Sequence, residues 1–214
     1  MAKVSASILA CDQMRIGEQS LCAERGGADY YHVDVMDGNY VRNLAFSPQT
    51  VRDLKKISSL PISVHLEVRD PDTVAPLFYE TGADIMTFQL DACPNPIHLL
   101  EQIRMQGIMA GLGIGPAYDV DGIKYLLKHI DWLILMSVEP GYGGQHFESS
   151  VLEKIQKAKG IMKETGRIIP IAIDGGIDIN TAPLVLSAGA DVLISGSWLF
   201  SGNIEEKTGM LKNL

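Results

Sequence analysis

His32 and Asp34 stand two residues apart in Tyr30-Tyr31-His32-Val33-Asp34-Val35-Met36-Asp37-Gly38. β-Formers fill this stretch and Asp37-Gly38 is a strong stop signal, so it reads as a strand running into a turn. Residues two apart on a strand point to the same side. An imidazole and a carboxylate side by side at a strand end suit a metal ion or a proton transfer; a plain hydrogen-bonded His–Asp pair has the same spacing. Two further strand ends carry similar groups, His65 in Val64-His65-Leu66-Glu67 and Asp174 in Asp174-Gly175-Gly176. Two His and two Asp facing one cavity make four N/O ligands. Such a set suits one divalent metal ion, Zn, Fe, Mn or Co, and does not choose among them.

A second chemistry is written in glycine. Glu139-Pro140-Gly141-Tyr142-Gly143-Gly144-Gln145 holds three glycines in four residues, and Gly175-Gly176 and Gly196-Ser197 follow the next two strands. Each alone reads equally as a plain turn. Together, on adjacent strands, they suit backbone N–H groups that approach a phosphate closely, with the first as a flexible lid.

These groups are far apart in sequence and need a scaffold that gathers strand ends. Gly27-Ala28-Asp29, Gly82-Ala83-Asp84 and Gly189-Ala190-Asp191 each precede a β-rich run, and His129-Ile130-Asp131 is a degenerate fourth copy. Each reads as a helix ending, a tight turn and a buried strand. Eight strands are predicted: 4–9, 31–35, 62–66, 85–89, 109–114, 132–138, 169–173 and 192–194. Helical segments at 13–25, 48–58, 72–80, 95–106, 119–128, 149–165, 181–187 and 199–214 alternate with them, the first with Asp12 and the second with Ser47 as N-cap. Eight such units without a composition break make an α/β fold, a (β/α)8 TIM barrel in a single domain spanning 1–214. The alternative, an open doubly wound sheet, calls for a glycine-rich loop after the first strand, where this chain has Ala10-Cys11-Asp12. In a barrel the active site lies at the C-terminal strand ends, which would unite Ser7, His32, Asp34, His65, Met136 and Asp174.

The 214 residues are 46% hydrophobic and 21% charged, a soluble globular balance. A net charge of -8 argues against nucleic acid and anionic membrane as partners. No apolar run approaches a membrane span, and residues 1–10 lack a signal-peptide pattern. Three cysteines, Cys11, Cys22 and Cys93, match no zinc spacing and point to a reduced, cytoplasmic location; Cys93 before Pro94 is expected in an exposed loop.

With these residues assembled, a family likeness emerges. Ser5-Ala6-Ser7-Ile8-Leu9, Gly27-Ala28-Asp29, His32 to Gly38, Pro61 to Leu66, Met136 to Phe147, Asp174-Gly175-Gly176 and Gly196-Ser197, in this order, resemble the ribulose-phosphate 3-epimerase family over nearly the whole chain. The resemblance implies an isomerase with one divalent metal ion per chain, commonly zinc or iron, on His32, Asp34, His65 and Asp174. It implies Asp34 and Asp174 as acid and base, with Ser7 and His65 touching the sugar. Gly141, Tyr142, Gly143, Gly144, Gly175, Gly176, Gly196 and Ser197 would hold the phosphate end. It also implies a homo-oligomer, a dimer or hexamer. The implied reaction inverts C3 of a ketose phosphate, D-ribulose 5-phosphate to D-xylulose 5-phosphate. That proton lies α to a carbonyl, and inversion needs a base on one face and an acid on the other. D-Allulose 6-phosphate is the alternative substrate, and a sugar-phosphate-binding paralogue without turnover is the alternative role.

Several positions depart from the family. Asn39-Tyr40-Val41-Arg42-Asn43 replaces His-Phe-Val-Pro-Asn, Glu67 replaces Met, Gln89 and Asp91 replace a His and a Glu, and Gly115 replaces Asn. Glu67 either brings a carboxylate to the site, with Arg42 as its partner, or points into solvent. Met36 and Met136 read either as an apolar cap over the reacting carbons or as ordinary core. A decarboxylase or isomerase using a strand-end Lys finds no such residue.

Overall fold

The structure, a computed structural model, describes residues 2–214. Met1, at the head of the segment read as lacking a leader pattern, lies outside the described residues. The strands are β1 (Lys3–Ser7), β2 (Tyr30–Asp37), β3 (Leu44–Ala45), β4 (Ile62–Glu67), β5 (Ile85–Gln89), β6 (Met109–Ile114), β7 (Trp132–Met136), β8 (Ile171–Asp174) and β9 (Val192–Ser195). All but β3 pair in parallel, in the order β1-β2-β4-β5-β6-β7-β8-β9, and β1 pairs with β9 to close the barrel. β3 is a two-residue antiparallel addition against Met36 and Asp37.

The helices are α1 (Ile16–Arg25), α2 (Pro48–Ile57), α3 (Pro71–Val74), α4 (Pro96–Met105), α5 (Ile123–Leu126), α6 (Val151–Thr165), α7 (Ala182–Ala188), α8 (Ser197–Phe200) and α9 (Ile204–Lys212). The expected eight strands and their order are all present; most helices are trimmed at their ends, and four depart further. Asp12 accepts the Met14 N–H in a local turn, so α1 starts at Ile16 rather than at residue 13. Pro76 lacks an N–H, and the segment expected at 72–80 splits into α3 and a 3-10 turn, Ala75–Phe78. Of 119–128 only α5 is helical. The last segment breaks at Ser201-Gly202 into α8 and α9. Among the described residues no helix is long and apolar enough to cross a membrane.

Strand alternation sorts the side chains into two layers. Tyr31, Val33 and Val35 of β2, Val64 and Leu66 of β4 and Leu133 and Leu135 of β7 face outward and join one cluster under the helices. The inner face is divided. Trp132, Ile134 and Met136 of β7, Ala172 of β8 and Val192 and Ile194 of β9 form an apolar plug. On the other side the buried inward residues are polar: Ser5, Ser7, His32, Asp34, Ser63, His65, Glu67, Thr87 and Gln89. Room for two of them comes from β6, where a Cβ at Gly111 would strike Thr87 and one at Gly113 would sit 3.0 Å from Gln89 Oε1.

The recurring Asp before alternate strands has a single physical role. Asp29, Asp84, Asp131 and Asp191 accept the backbone N–H of Val4, Ile62, Ala110 and Ile171, each at the start of the preceding barrel strand. Each is also paired with a cation: Lys212, Lys55, Arg167 and Lys159 respectively. The barrel is thus clasped four times at the end remote from the candidate ligands. Asp29→Ala removes the side-chain acceptor of the Val4 N–H, and its unfolding free energy is expected to fall by about 1–3 kcal/mol, with Asp29→Asn milder. Urea unfolding at constant m-value measures it.

Candidate active site

β2 carries His32 and Asp34 inward because both occupy the polar phase of its alternation. Register does the rest: Ser7 lies beside His32, Asp34 beside His65, and Met136 beside Asp174. Four predicted ligands from three strands thereby converge. His32 Nε2 is 3.0 Å from Asp34 Oδ1 and 3.3 Å from Asp174 Oδ2; His65 Nδ1 is 3.5 and 3.6 Å from the same two oxygens. One atom from each residue fits within 4.8 Å of every other. Adjacent ligands about 2.1 Å from one ion are separated by roughly 3.0–3.4 Å. His32 Nε2 and His65 Nδ1 are buried, yet neither has a hydrogen-bond partner despite these short distances. Lone pairs converging on a common centre meet both observations, and the donor set fits one divalent metal ion per chain.

The electrostatics agree. Burial opposes charge on His32, but Asp34 and then Asp174 outweigh it and push it up to about 10. Burial likewise opposes charge on His65, which Asp174 and Asp34 push up to about 9. Burial would raise Asp34 and Asp174, yet His32 and His65 hold both carboxyls below the usual range. Two carboxylates in this enclosure call for about two positive charges, which two imidazolium protons or one divalent cation supply.

Neighbours orient these groups. Ser7 Oγ donates to Asp34 Oδ2 at 2.9 Å, so the hydroxyl expected to touch sugar also steadies a ligand. Ser137 Oγ donates to the carbonyls of Asp174 at 3.0 Å and Gly175 at 2.6 Å, fixing the end of β8. Sequence patterning did not single out Ser137, although it stands in the quoted Met136 to Phe147 motif. The Gln89 amide nitrogen lies 3.1 Å from His65 Nε2, and Gln89 Oε1 has no partner. Turning the amide end for end lets Oε1 accept the Nε2–H of neutral His65 and leaves the Nδ1 lone pair facing the cluster.

A cavity of about 600 Å³ opens over the cluster. Ser7, Asp34, Asp174, Gly141, Tyr142, Gly143, Gly144, Gly175, Gly176, Gly196 and Ser197 line it, as do Met36 and Met136. His32 and His65 are fully buried behind its wall. The glycine turns meet: a Cβ at Gly143 would lie 2.7 Å from Ser197 Oγ. Gly175 and Gly176 are consecutive at φ +114° and +60°, a turn closed to side chains. The loop read as a flexible lid is pinned. Gln145 donates to the carbonyls of Glu139 and Tyr142, Asn43 to that of Gly141, and Tyr142 to that of Arg42.

Glu67 belongs to the site and not to solvent, at 2% exposure and lining the cavity. Burial pushes it up to about 8, opposed by His65 and reinforced by Asp34 and Asp174. Arg42 is exposed and is not among its ion-pair partners in the described residues. Cys93, expected in an exposed loop, is buried beneath the 3-10 turn 90–92, and burial pushes its thiol up to about 11.

Fold and cluster define a (β/α)8 barrel with a buried two-His, two-Asp centre under a glycine-rimmed cavity. The fold recurs in a tryptophan synthase α-subunit variant of Pyrococcus furiosus, at a TM-score of 0.74 with 100% of both chains covered and 14% identity. Residues 3–200 match the ribulose-phosphate 3 epimerase family, and the chain belongs to it. It is 39% identical to a ribulose-phosphate 3-epimerase of Bacillus subtilis (strain 168), covering 97% of this chain and 96% of the relative. It is 38% identical to one from Methanocaldococcus jannaschii, covering 100% and 90%.

With its amide turned in this way Gln89 would hold the His65 tautomer whose Nδ1 lone pair faces the cluster, so Gln89→Leu is expected to weaken Zn²⁺ binding about 10–100-fold. Competition against a chromophoric chelator reads this directly, and unchanged affinity would remove Gln89 from the metal's support.

Proposed function

We propose that the chain catalyses C3 epimerisation of a ketose phosphate, D-ribulose 5-phosphate to D-xylulose 5-phosphate. The observation that carries this reading is the placement of Asp34 and Asp174 on separate strands, β2 and β8, both at the cavity and both joined to one candidate metal centre. The two relatives named above carry the corresponding name. His32, Asp34, His65 and Asp174 would hold the ion, whose contribution when bound is Lewis acidity toward the charge that develops as the C3 proton leaves.

The chain's own residues do the proton work. One of Asp34 and Asp174 takes the proton from C3 on one face, and the other, protonated, returns one to the opposite face. The carboxyls exchange roles in the reverse direction. Ser7, through its hydrogen bond to Oδ2, keeps Asp34 in one orientation. Ser7, on the cavity wall, contacts the sugar; His65, expected to do the same, is fully buried behind that wall and serves the metal centre alone. Met36 and Met136 exclude water above the reacting carbons. Gly141 to Gly144, Gly175, Gly176, Gly196 and Ser197 receive the phosphate, where no side chain blocks close approach of backbone N–H groups. The proposal extends to one barrel spanning the chain, acting as a cytoplasmic homo-oligomer without nucleic acid, in keeping with the family likeness and the net charge of -8.

Protein stripped of metal and reloaded with Zn²⁺, Fe²⁺ or Mn²⁺ is expected to regain epimerase activity on D-ribulose 5-phosphate. Asp34→Asn and Asp174→Asn are each expected to lower kcat about 10²–10⁴-fold with the fold intact by circular dichroism. Preferred turnover of D-allulose 6-phosphate would reassign the substrate, and metal-loaded protein inactive on both sugars would overturn the reaction.

A further inference from the structure

Among the described residues, Glu67 is the buried charged side chain of the barrel interior that the four-residue cluster leaves out. It is the last residue of β4 and shares the inward face with His65. Its Oε2 has no hydrogen-bond partner, and the cation nearest Oε1 is His65 Nδ1 at 3.9 Å, beyond hydrogen-bonding range. A buried carboxyl oxygen left unpaired is destabilising, so this one is held in readiness for a group that enters the cavity.

Its place in the barrel identifies that group. In the closed order, three strands separate β4 from β8 in either direction, β5, β6 and β7 one way and β2, β1 and β9 the other. Glu67 therefore faces Asp174, Gly175 and Gly176 from directly across the cavity. The glycine turns all lie over β7, β8 and β9. A ketose phosphate with its phosphate among those turns and C2–C3 above the cluster sends C1 toward β4. Resting on the ketose phosphate reading, we propose that Glu67 hydrogen-bonds the C1 hydroxyl and selects substrates that carry one. A hydroxyl both donates and accepts, so it satisfies this oxygen in either protonation state of the carboxyl. A methyl group there would strand it, and sites built to bond a hydroxyl reject analogues that lack it. The methionine that the family places here has no such demand.

The test compares D-xylulose 5-phosphate with 1-deoxy-D-xylulose 5-phosphate on Zn²⁺-loaded protein, wild type, Glu67→Gln and Glu67→Met. Affinity is read by calorimetry, and C3 proton exchange in D2O by NMR. Wild type is expected to favour the hydroxylated sugar by about tenfold or more in both readouts, the cost of leaving one buried acceptor unpaired. Glu67→Gln keeps part of that preference. Glu67→Met loses it, with bound zinc unchanged and a melting temperature no lower than wild type. Equal treatment of both sugars by wild type overturns the proposal, as does a preference that survives in Glu67→Met. Loss of zinc from Glu67→Met also overturns it, making Glu67 part of the metal's support. Wild-type turnover of D-ribulose 5-phosphate tests the proposed reaction separately. If that turnover fails, the binding comparison still decides Glu67, and absence of binding by either sugar counts against it.

Discussion

Two carboxylates and two imidazoles converge at the floor of the cavity, and that convergence demands positive charge. Without a cation the demand falls on imidazole protons, which is why His32 and His65 are pushed up while Asp34 and Asp174 are pushed down. A divalent ion meets the same demand with one centre, and separations of 3.0–3.6 Å between neighbouring ligand atoms leave room for one. Carboxylates so strongly held are poor bases by themselves. An ion held by these residues would also supply Lewis acidity toward a carbon next to a carbonyl, which would bring substrate and base toward each other in proton affinity.

Holding like charges together requires a frame that does not relax. The clasps formed by Asp29, Asp84, Asp131 and Asp191 supply rigidity at the opposite ends of the strands. Each bonds a backbone N–H of one strand from the turn that starts the next, so each closes one pair of neighbouring strands. Four such pairs make the whole ring. The division between a stability face and a chemistry face is therefore built from the same residue type: Asp at strand starts meets lysine, arginine and backbone, and Asp at strand ends meets imidazole.

The barrel was readable in the sequence because strand periodicity and the repeated Gly-Ala-Asp joint are local signals. All eight strands overlap the apolar runs, although β1 ends at Ser7 rather than Leu9, β7 at Met136 rather than Val138, and β8 begins at Ile171 rather than Ile169. The helix errors are also local in origin: Asp12 spends its side chain on a turn, Pro76 removes a donor, and neither effect is visible to apolar spacing. His32, Asp34, His65 and Asp174 could be grouped in advance because a barrel gathers strand ends whatever their sequence distance. Contacts set by side-chain packing could not. The Gln89 amide against His65, the Ser7 hydroxyl on Asp34 and the burial of Glu67 and Cys93 depend on neighbours from other strands and turns.

The interior of the barrel is asymmetric, and the asymmetry follows the substrate. Beneath the glycine turns the inner face is Trp132, Ile134, Ala172, Val192 and Ile194, an apolar floor whose one polar atom is the buried, unpartnered indole nitrogen of Trp132. On the proposed reading, phosphate recognition there would fall to backbone groups, whose positions the strands fix. Beneath the other half lie Ser5, Ser63, Thr87 and Gln89, buried and polar. This half must support His65 and Glu67, and β6 makes space for it by giving up side chains at Gly111 and Gly113. Polar groups so enclosed are tolerable only when their geometry is fixed, since each lost partner costs a buried donor or acceptor. The fixed geometry is what the chemistry uses: Gln89 aims His65, Ser7 aims Asp34, and a carboxyl on β4 is left facing the end of the cavity remote from the glycine turns.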